Sequence, residues 1–321
     1  MKIACAYHPR LHAGCGKFHF IADAMRSLGH DVYHVQTMDD LVRADQVCDV
    51  VLFEQRNPAT ICDVDLRDYS REKRSVWLQW FFDLNIFDDT LPLEKQAPIE
   101  PFMGVMRGMD AVFVKERDRL LDYKDIGINA IWLDQGCPSS MRQAKLQKDP
   151  QFDVILWGST SRPMWRHRWE DVETIVRAGF VVAWATNDGN LPAGVIRLPG
   201  CQPLEIPDLV EKAAVTLVVD ARNDIQGYWS DRIWLAAGAG ACCIRRVGIS
   251  GGMLPAYGYF TDNSLLSMLE DLCGNYEQRR AMGEKSRNIV MQKHTYENRC
   301  LEVVKHAERL INARLEEPAL S

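Results

Sequence analysis

The chain has 321 residues, 47% of them hydrophobic and 26% charged, which is typical of a globular protein with about two domains. Its net charge of −6 excludes nucleic-acid binding through bulk positive charge, although "SREKR" at 70–74 and the arginines around His167 leave a local basic groove open. Apolar runs of membrane-spanning length and a signal-peptide pattern are both missing, so we expect a cytoplasmic protein without a membrane span. The ten cysteines form no C-x-x-C pair and are expected to be reduced thiols.

Strands and helices alternate through the first half of the chain. "KIACAY" predicts a strand, and "GKFHFIADAMRSLGH" predicts a helix that places Phe18, Ile21 and Met25 on one face. Further strands are predicted at "DVYHV", "DVVLFE", "SVWLQWF", "AVFVK" and "AIWLD", with a helix-compatible segment at "PIEPFMGVMRGM". The alternation predicts a Rossmann-like domain over 1–148, with a linker at "QAKLQKDPQ".

The same alternation begins again after the linker. Strands are predicted at "FDVILWGS", "FVVAWAT", "GVIRLPG", "VTLVVD" and "ACCIRR", and helices at "WRHRWEDVETIVRAG", "IPDLVEKA" and within "GYWSDRIWLAAGAG". In the last of these, Ser230 is expected to cap the helix start and Asp231 to favour the positive end of its dipole. A second Rossmann-like domain is predicted over 149–295.

The end of the chain, 296–321, predicts a final helix and tail. Its apolar face is expected at Leu301, Val304, Ala307 and Ile311. This face is predicted to pack back on the first domain.

Two loops of the first domain carry candidate chemistry. "HPRLHAGCGKF" contains Gly14 and Gly16 but lacks G-x-G-x-x-G, so it is either an acceptor loop or an ordinary turn. His8 in that loop is a candidate acceptor base or a structural histidine, and the spacing of nearby ligands does not predict a metal site. Asp83 ends the aromatic segment "WFFD" and is either a general base at the sheet edge or a turn aspartate.

Several segments resemble the carboxyl half of GT-B glycosyltransferases, and most closely the CgeB-like, group 1 branch. They are "DVILWGSTSRPMWR", "LPGCQPLEIPDLVEKAAVTLVVD", "GYWSDRIWLAAGAGACCI" and "KHTYENR", while "WLQWFFD", "MDAVFVKERD" and "IGINAIWLDQGCP" are similar in layout to the first half. The resemblance implies two Rossmann-like domains that face each other across a cleft. It implies that the first selects the acceptor, that the second holds a nucleotide-sugar donor, and that neither a metal nor a further cofactor is needed.

The resemblance also implies which residues bind the donor. They are Gly158, Ser159 and Arg162 in the loop after the strand "FDVILW", Gly200, Cys201 and Gln202 in the turn that holds the nucleobase, and Tyr228, Ser230, Asp231 and Arg232 at the helix start. Leu235 stands where many relatives carry an acid that bonds the donor ribose or sugar.

The sequence therefore predicts a glycosyltransferase of the hexosyltransferase type that moves a sugar from a UDP-sugar to an acceptor hydroxyl. The acceptor is a glycan, a surface component or a hydroxymethylated pyrimidine in phage-type DNA. A helix N-terminus with one or two arginines suits the leaving diphosphate. Because Leu235 replaces the acid, the sequence does not decide whether the configuration of the sugar is retained or inverted. The same replacement favours one alternative function, a catalytically silent sugar-binding or surface-assembly protein. The other alternative is a nucleotide-sugar epimerase of the same fold.

Overall fold

A computed structural model describes residues 1–6, 17–54, 73–80, 99–161, 165–220, 228–247, 257–259 and 261–316, without the side chains of 54, 99–102 and 257–259. The chain divides into two compact units, 1–134 with 296–321, and 135–295. Within the described ranges, no helix combines the length and the apolar character that crossing a membrane requires.

The first unit is built on a parallel sheet. Its described strands are β1 (Lys2–Ala6), β2 (Asp31–Val35), β3 (Val50–Glu54), β4 (Val76–Trp80), β5 (Ala111–Val114) and β6 (Ala130–Trp132), in the order β2-β1-β3-β4-β5-β6. Between them lie helices α1 (Lys17–Ser27), α2 (Met38–Val47), α3 (Ile99–Arg107) and α4 (Leu120–Asp125). The central strand β4 is buried along its whole length, because helices cover both faces of a parallel sheet.

The second unit repeats this plan. Its described strands are β7 (Phe152–Trp157), β8 (Val182–Ala185), β9 (Ile196–Leu198), β10 (Ala213–Val218), β11 (Cys243–Arg246) and β12 (Tyr257–Tyr259), in the order β12-β11-β10-β7-β8-β9. Its helices are α5 (Arg166–Arg177), α6 (Ile206–Val210), α7 (Asp231–Gly238), α8 (Asp262–Gly274) and α9 (Tyr276–Lys293). The chain leaves β7 on one side and returns to β10 on the other. This reversal is the point of an open α/β sheet at which ligands bind, beyond the carboxyl ends of the strands.

The last helix, α10 (Tyr296–Glu316), belongs to the first unit and confirms the predicted return of the chain. Its buried residues Cys300 and Val303 share a core with Ile21 of α1. The predicted face is wrong at Leu301, which is 40% exposed. The buried stripe runs instead through Tyr296, Cys300, Val303, Val304 and Ala307.

Residues 135–148 lie in the second unit and not, as predicted, in the first domain. The Ala144 N–H donates to the Ala239 carbonyl at 2.8 Å. Two arginines of α9 hold the same segment by its backbone: Arg287 Nη2 donates to the Met141 carbonyl at 2.9 Å, and Arg279 Nη2 to the Lys148 carbonyl at 3.0 Å. Backbone contacts of this kind carry no periodic sequence signal, which is why the composition of the segment suggested only a linker.

The small residues at the end of α7 allow close packing. A Cβ on Gly238 would collide with the Sγ of Cys137, and a Cβ on Gly283 of α9 would collide with the carbonyl oxygen of Gly240. The run "AAGAG" therefore lets α9 and the segment before β7 approach the backbone of α7.

Candidate functional site

The loop after β7 is fixed by donors beneath it. Three side chains donate to successive carbonyl oxygens of the loop, each at 2.9 Å. Trp184 Nε1 donates to Gly158, Arg168 Nη1 to Ser159, and Trp169 Nε1 to Thr160. Because a trans peptide is planar, the N–H groups of residues 159 and 160 point away from the first two of these donors. In the described part of the chain, neither N–H donates to an acceptor. Two adjacent N–H groups are thus left available for an anion.

The start of α7 is fixed to the end of β10. Ser230 caps the helix as predicted, since its Oγ accepts from the Arg232 N–H at 3.4 Å. The Ser230 N–H donates to Asp220 Oδ1 at 2.8 Å, and Asp220 Oδ2 accepts from Arg245 Nη2 at 2.7 Å. Both members of this ion pair are buried, and the Arg245 guanidinium lies 3.9 Å from the centre of the Trp229 ring. The helix N-terminus therefore has a fixed position beside the loop after β7.

Arg232 joins these two elements. Its Nε donates to the Trp157 carbonyl at 3.0 Å and its Nη1 to Ser230 Oγ at 2.9 Å. The side chain is partly exposed, its Nη2 donates to no described acceptor, and it forms no ion pair with a described carboxylate. The Arg232 guanidinium thus offers a charged donor at the carboxyl edge of the sheet.

Arg168 lies beneath Arg232 and is 1% exposed. Its Nη2 donates to the Val219 carbonyl at 3.2 Å, and it pairs with none of the described carboxylates. Both guanidinium groups lie over the Trp165 ring, Arg168 at 3.8 Å and Arg232 at 4.9 Å from its centre. Burial lowers the pKa of Arg168 well below its ordinary value, and the charge of Arg232 adds to this effect. Two neighbouring positive charges without paired carboxylates favour a bound anion.

The turn expected to hold the nucleobase is also ordered by side chains. The Gly200 N–H donates to Asn187 Oδ1 at 2.9 Å, and the Gln202 N–H donates to Glu205 Oε2 at 2.8 Å. Burial raises the pKa of the Cys201 thiol to about 11, so this thiol is protonated at neutral pH. The N–H groups of Gly200 and Gln202 are therefore engaged within the turn.

The remaining residues of the α7 segment differ in exposure. Tyr228 is buried, whereas Asp231 is partly exposed and accepts a hydrogen bond from Ser230 Oγ at 3.3 Å. Leu235 is 5% exposed and packs in the core of the second unit. Leu235, where the resemblance implied an acid, is thus part of an apolar core.

Five predicted site residues, His8, Gly14, Gly16, Asp83 and Arg162, lie outside the described residues. Of the predicted donor residues, the structure brings together Gly158, Ser159, Ser230 and Arg232. Within the ranges described, no group of three or more metal-ligating side chains occurs.

Sequence reasoning missed the supporting residues Trp165 and Trp184. It placed Arg168 in the basic cluster around His167, as a possible surface groove, whereas this side chain is buried. Arg168 shares its helical face with Val172 and Ile175, both buried. A charged residue on a helical face with Val172 and Ile175 was the available signal, because a buried charge requires specific partners.

Known proteins resemble this chain in fold. No family model matches the sequence, and no curated protein matches it. Among solved structures, sucrose-phosphate synthase from Thermosynechococcus elongatus has a TM-score of 0.68 at 12% identity, covering 98% of this chain and 100% of that one. Anabaena HepE in complex with UDP and glucose has a TM-score of 0.67 at 8% identity, covering 96% and 100%.

The structure of an alpha-glucosyltransferase in complex with UDP and a 13-mer DNA containing an HMU base is also similar to this chain in fold. Its TM-score is 0.62 at 11% identity, and the match covers 96% of this chain and 99% of that one. These structures are GT-B glycosyltransferases, and the predicted fold class is confirmed. The CgeB-like assignment stays a prediction.

Proposed function

We propose that this protein is a glycosyltransferase that moves a sugar from a UDP-sugar to an acceptor hydroxyl, with the donor held by the second unit. The observation that carries the proposal is the pair of guanidinium groups of Arg232 and Arg168, neither paired with a described carboxylate, beside the loop 158–160. A nucleoside diphosphate supplies the concentrated negative charge that such a site favours. HepE and the alpha-glucosyltransferase, which share the fold, are in complexes with UDP.

In the proposed complex, the diphosphate accepts hydrogen bonds from the N–H groups of Ser159 and Thr160 and from Arg232 Nη2. The N-terminus of α7 adds the positive end of its helix dipole. These donors are in place before the ligand binds, because buried partners fix the loop and the helix start. Arg162, outside the described residues, stays a predicted further contact.

The proposed reaction is displacement at the anomeric carbon. A bond forms between the acceptor oxygen and this carbon, the bond from the carbon to the phosphate oxygen breaks, and its electron pair leaves with the nucleoside diphosphate. Arg232 stabilises the charge that develops on the leaving group. If the enzyme inverts configuration, Asp83 or His8 is the proposed base for the acceptor proton.

The proposed acceptor is a glycan, a surface component or a hydroxymethylated pyrimidine in DNA. The similar alpha-glucosyltransferase in complex with HMU-containing DNA supports testing the DNA acceptor first. The reaction as proposed needs no metal or further cofactor, and the cytoplasmic location stays a prediction from the sequence.

A thermal-shift panel of UDP, GDP, ADP and dTDP with their sugar conjugates tests the donor. A ligand present at 100 times its Kd stabilises the folded state by about 2.7 kcal/mol. We expect a selective rise in melting temperature with UDP and a UDP-sugar, and a much smaller rise for Arg232→Ala. No rise with any nucleotide would contradict the proposal.

Product analysis then tests the reaction. The protein is incubated with the UDP-sugar and an oligonucleotide that contains hydroxymethylated pyrimidine, with an unmodified oligonucleotide and a glycan as comparisons. Transfer releases UDP only with an acceptor and increases the acceptor mass by one sugar. An isomerised donor would indicate an epimerase, and donor binding without either product would indicate the silent sugar-binding protein that Leu235 favours.

A further inference from the structure

We infer that Arg168 is a positioning residue for the diphosphate: it holds the loop after β7 and the end of β10 in the arrangement that completes the anion site. The inference rests on the proposed donor site. Arg168 is almost completely buried, so it acts on the ligand through its neighbours.

The two hydrogen bonds of Arg168 connect the ends of β7 and β10, the neighbouring strands between which the strand order reverses. Nη1 donates to the Ser159 carbonyl, just after β7, and Nη2 donates to the Val219 carbonyl, just after β10. The peptide that accepts from Nη1 is the one whose N–H belongs to Thr160. A change at Arg168 therefore frees the peptide group that presents this N–H to the ligand.

The charge of Arg168 also favours an anion-bound state. A fully buried guanidinium that is hydrogen-bonded to carbonyls, without a paired carboxylate, retains an unfavourable desolvation energy. Burial and the neighbouring Arg232 charge both lower the pKa of Arg168. An anion bound beside Arg232 counters the repulsion between the two guanidinium groups and supplies an attraction that offsets part of the desolvation energy, so Arg168 stabilises the bound state more than the free state.

Trp165 connects Arg168 to the ligand-facing guanidinium. Its ring lies against Arg168 and against Arg232, and its backbone N–H donates to the Ser161 carbonyl at 2.9 Å. Arg168 and Trp165 together thus form the support on which Arg232 rests.

Isothermal titration calorimetry with inorganic pyrophosphate, UDP and UMP tests the inference on the full chain. The variants are Arg168→Gln, Arg168→Lys and the control Arg177→Gln, an exposed arginine of the same helix. We expect Arg168→Gln to weaken pyrophosphate and UDP binding at least about tenfold and to lower the ratio of UDP to UMP affinity. Arg168→Lys retains the charge but cannot bridge both carbonyls, so an intermediate loss is expected, and Arg177→Gln leaves all affinities unchanged.

Circular dichroism establishes that each variant is folded. Wild-type affinity in a folded Arg168→Gln variant, or equal losses for UDP and UMP, would overturn the positioning role while leaving the proposed function intact. If Arg168→Gln does not fold, wild-type affinity in Arg168→Lys overturns it instead. Arg168-dependent binding of pyrophosphate without binding of UDP would support the positioning role and refute the proposed function, and binding of neither probe by the wild type would refute both.

Discussion

Gly158 and Arg232 are in such close proximity that a side chain on the first would displace the second. A Cβ built on Gly158 would collide with Nη2 of Arg232 and lie 3.0 Å from its Cζ. The missing side chain allows Arg232 Nε to reach the Trp157 carbonyl and leaves Nη2 at the carboxyl edge of β7. Gly158 also has a φ of +102°, which favours glycine for a second reason.

Gly158→Ala is expected to weaken UDP binding at least about tenfold, because the new methyl group displaces the Arg232 guanidinium. The backbone strain alone is expected to cost about 1–3 kcal/mol of unfolding free energy. Gly179→Ala is the matched control, since Gly179 has a φ of +93° and no atom within 4 Å of the added Cβ. Urea unfolding and calorimetric titration separate the two effects. Equal loss of UDP affinity in both variants would show that the Arg232 contact is unimportant.

The buried pair of Asp220 and Arg245 is expected to contribute strongly to stability. Asp220→Asn leaves the Arg245 charge buried beside Trp229, which is expected to lower the unfolding free energy by about 3–5 kcal/mol. Asp208→Asn breaks an exposed pair with Arg142, for which a change of about 0–1 kcal/mol is expected. Denaturant unfolding of the two variants measures this difference, and similar values would contradict it.

More of the fold than of the candidate site could be predicted from the sequence. Hydrophobic runs and periodicity identified most strands and the start of α7, because burial of apolar faces leaves a regular pattern. The Arg168 contacts to residues 159 and 219 were not predictable, since they connect distant backbone carbonyls that any sequence supplies. The burial of Leu235 in the core was likewise not predicted, because the resemblance directed attention to the missing acid.

Glu116 gives a pH prediction in the first unit. Burial raises its pKa from 4.5 to about 7, and its Oε2 accepts from the Tyr123 hydroxyl at 3.2 Å. Between these two pH values the folded state binds the proton more tightly than the unfolded state, so the unfolding free energy falls as pH rises. Glu116→Gln retains an acceptor for Tyr123 and removes this titration.

Melting temperatures of wild type and Glu116→Gln at pH 5 and pH 8 measure the effect. We expect the wild type to lose more stability than the variant between these two conditions, because only the wild type ionises a buried carboxyl. Identical pH dependence in the two proteins would refute the assignment.

Close packing of α7 against α9 gives a stability prediction. Gly283→Ala is expected to destabilise the fold by about 1–3 kcal/mol, because its methyl group collides with the Gly240 carbonyl. Gly274→Ala, at the end of α8, has nothing within 4 Å of the added Cβ and is expected to be neutral or stabilising by up to about 1 kcal/mol. Thermal unfolding of both variants tests this, and an unchanged melting temperature for Gly283→Ala would contradict the packing argument.

Binding of UDP-glucose to the wild type and to Arg232→Ala, measured by isothermal titration calorimetry, tests the proposed donor site most directly. A hydrogen bond to a charged group contributes about 1.5–3 kcal/mol. We therefore expect saturable binding with one site in the wild type and an affinity about 10- to 100-fold lower in Arg232→Ala. No heat of binding in folded wild-type protein, or equal affinity in the two proteins, would contradict a donor site built on Arg232.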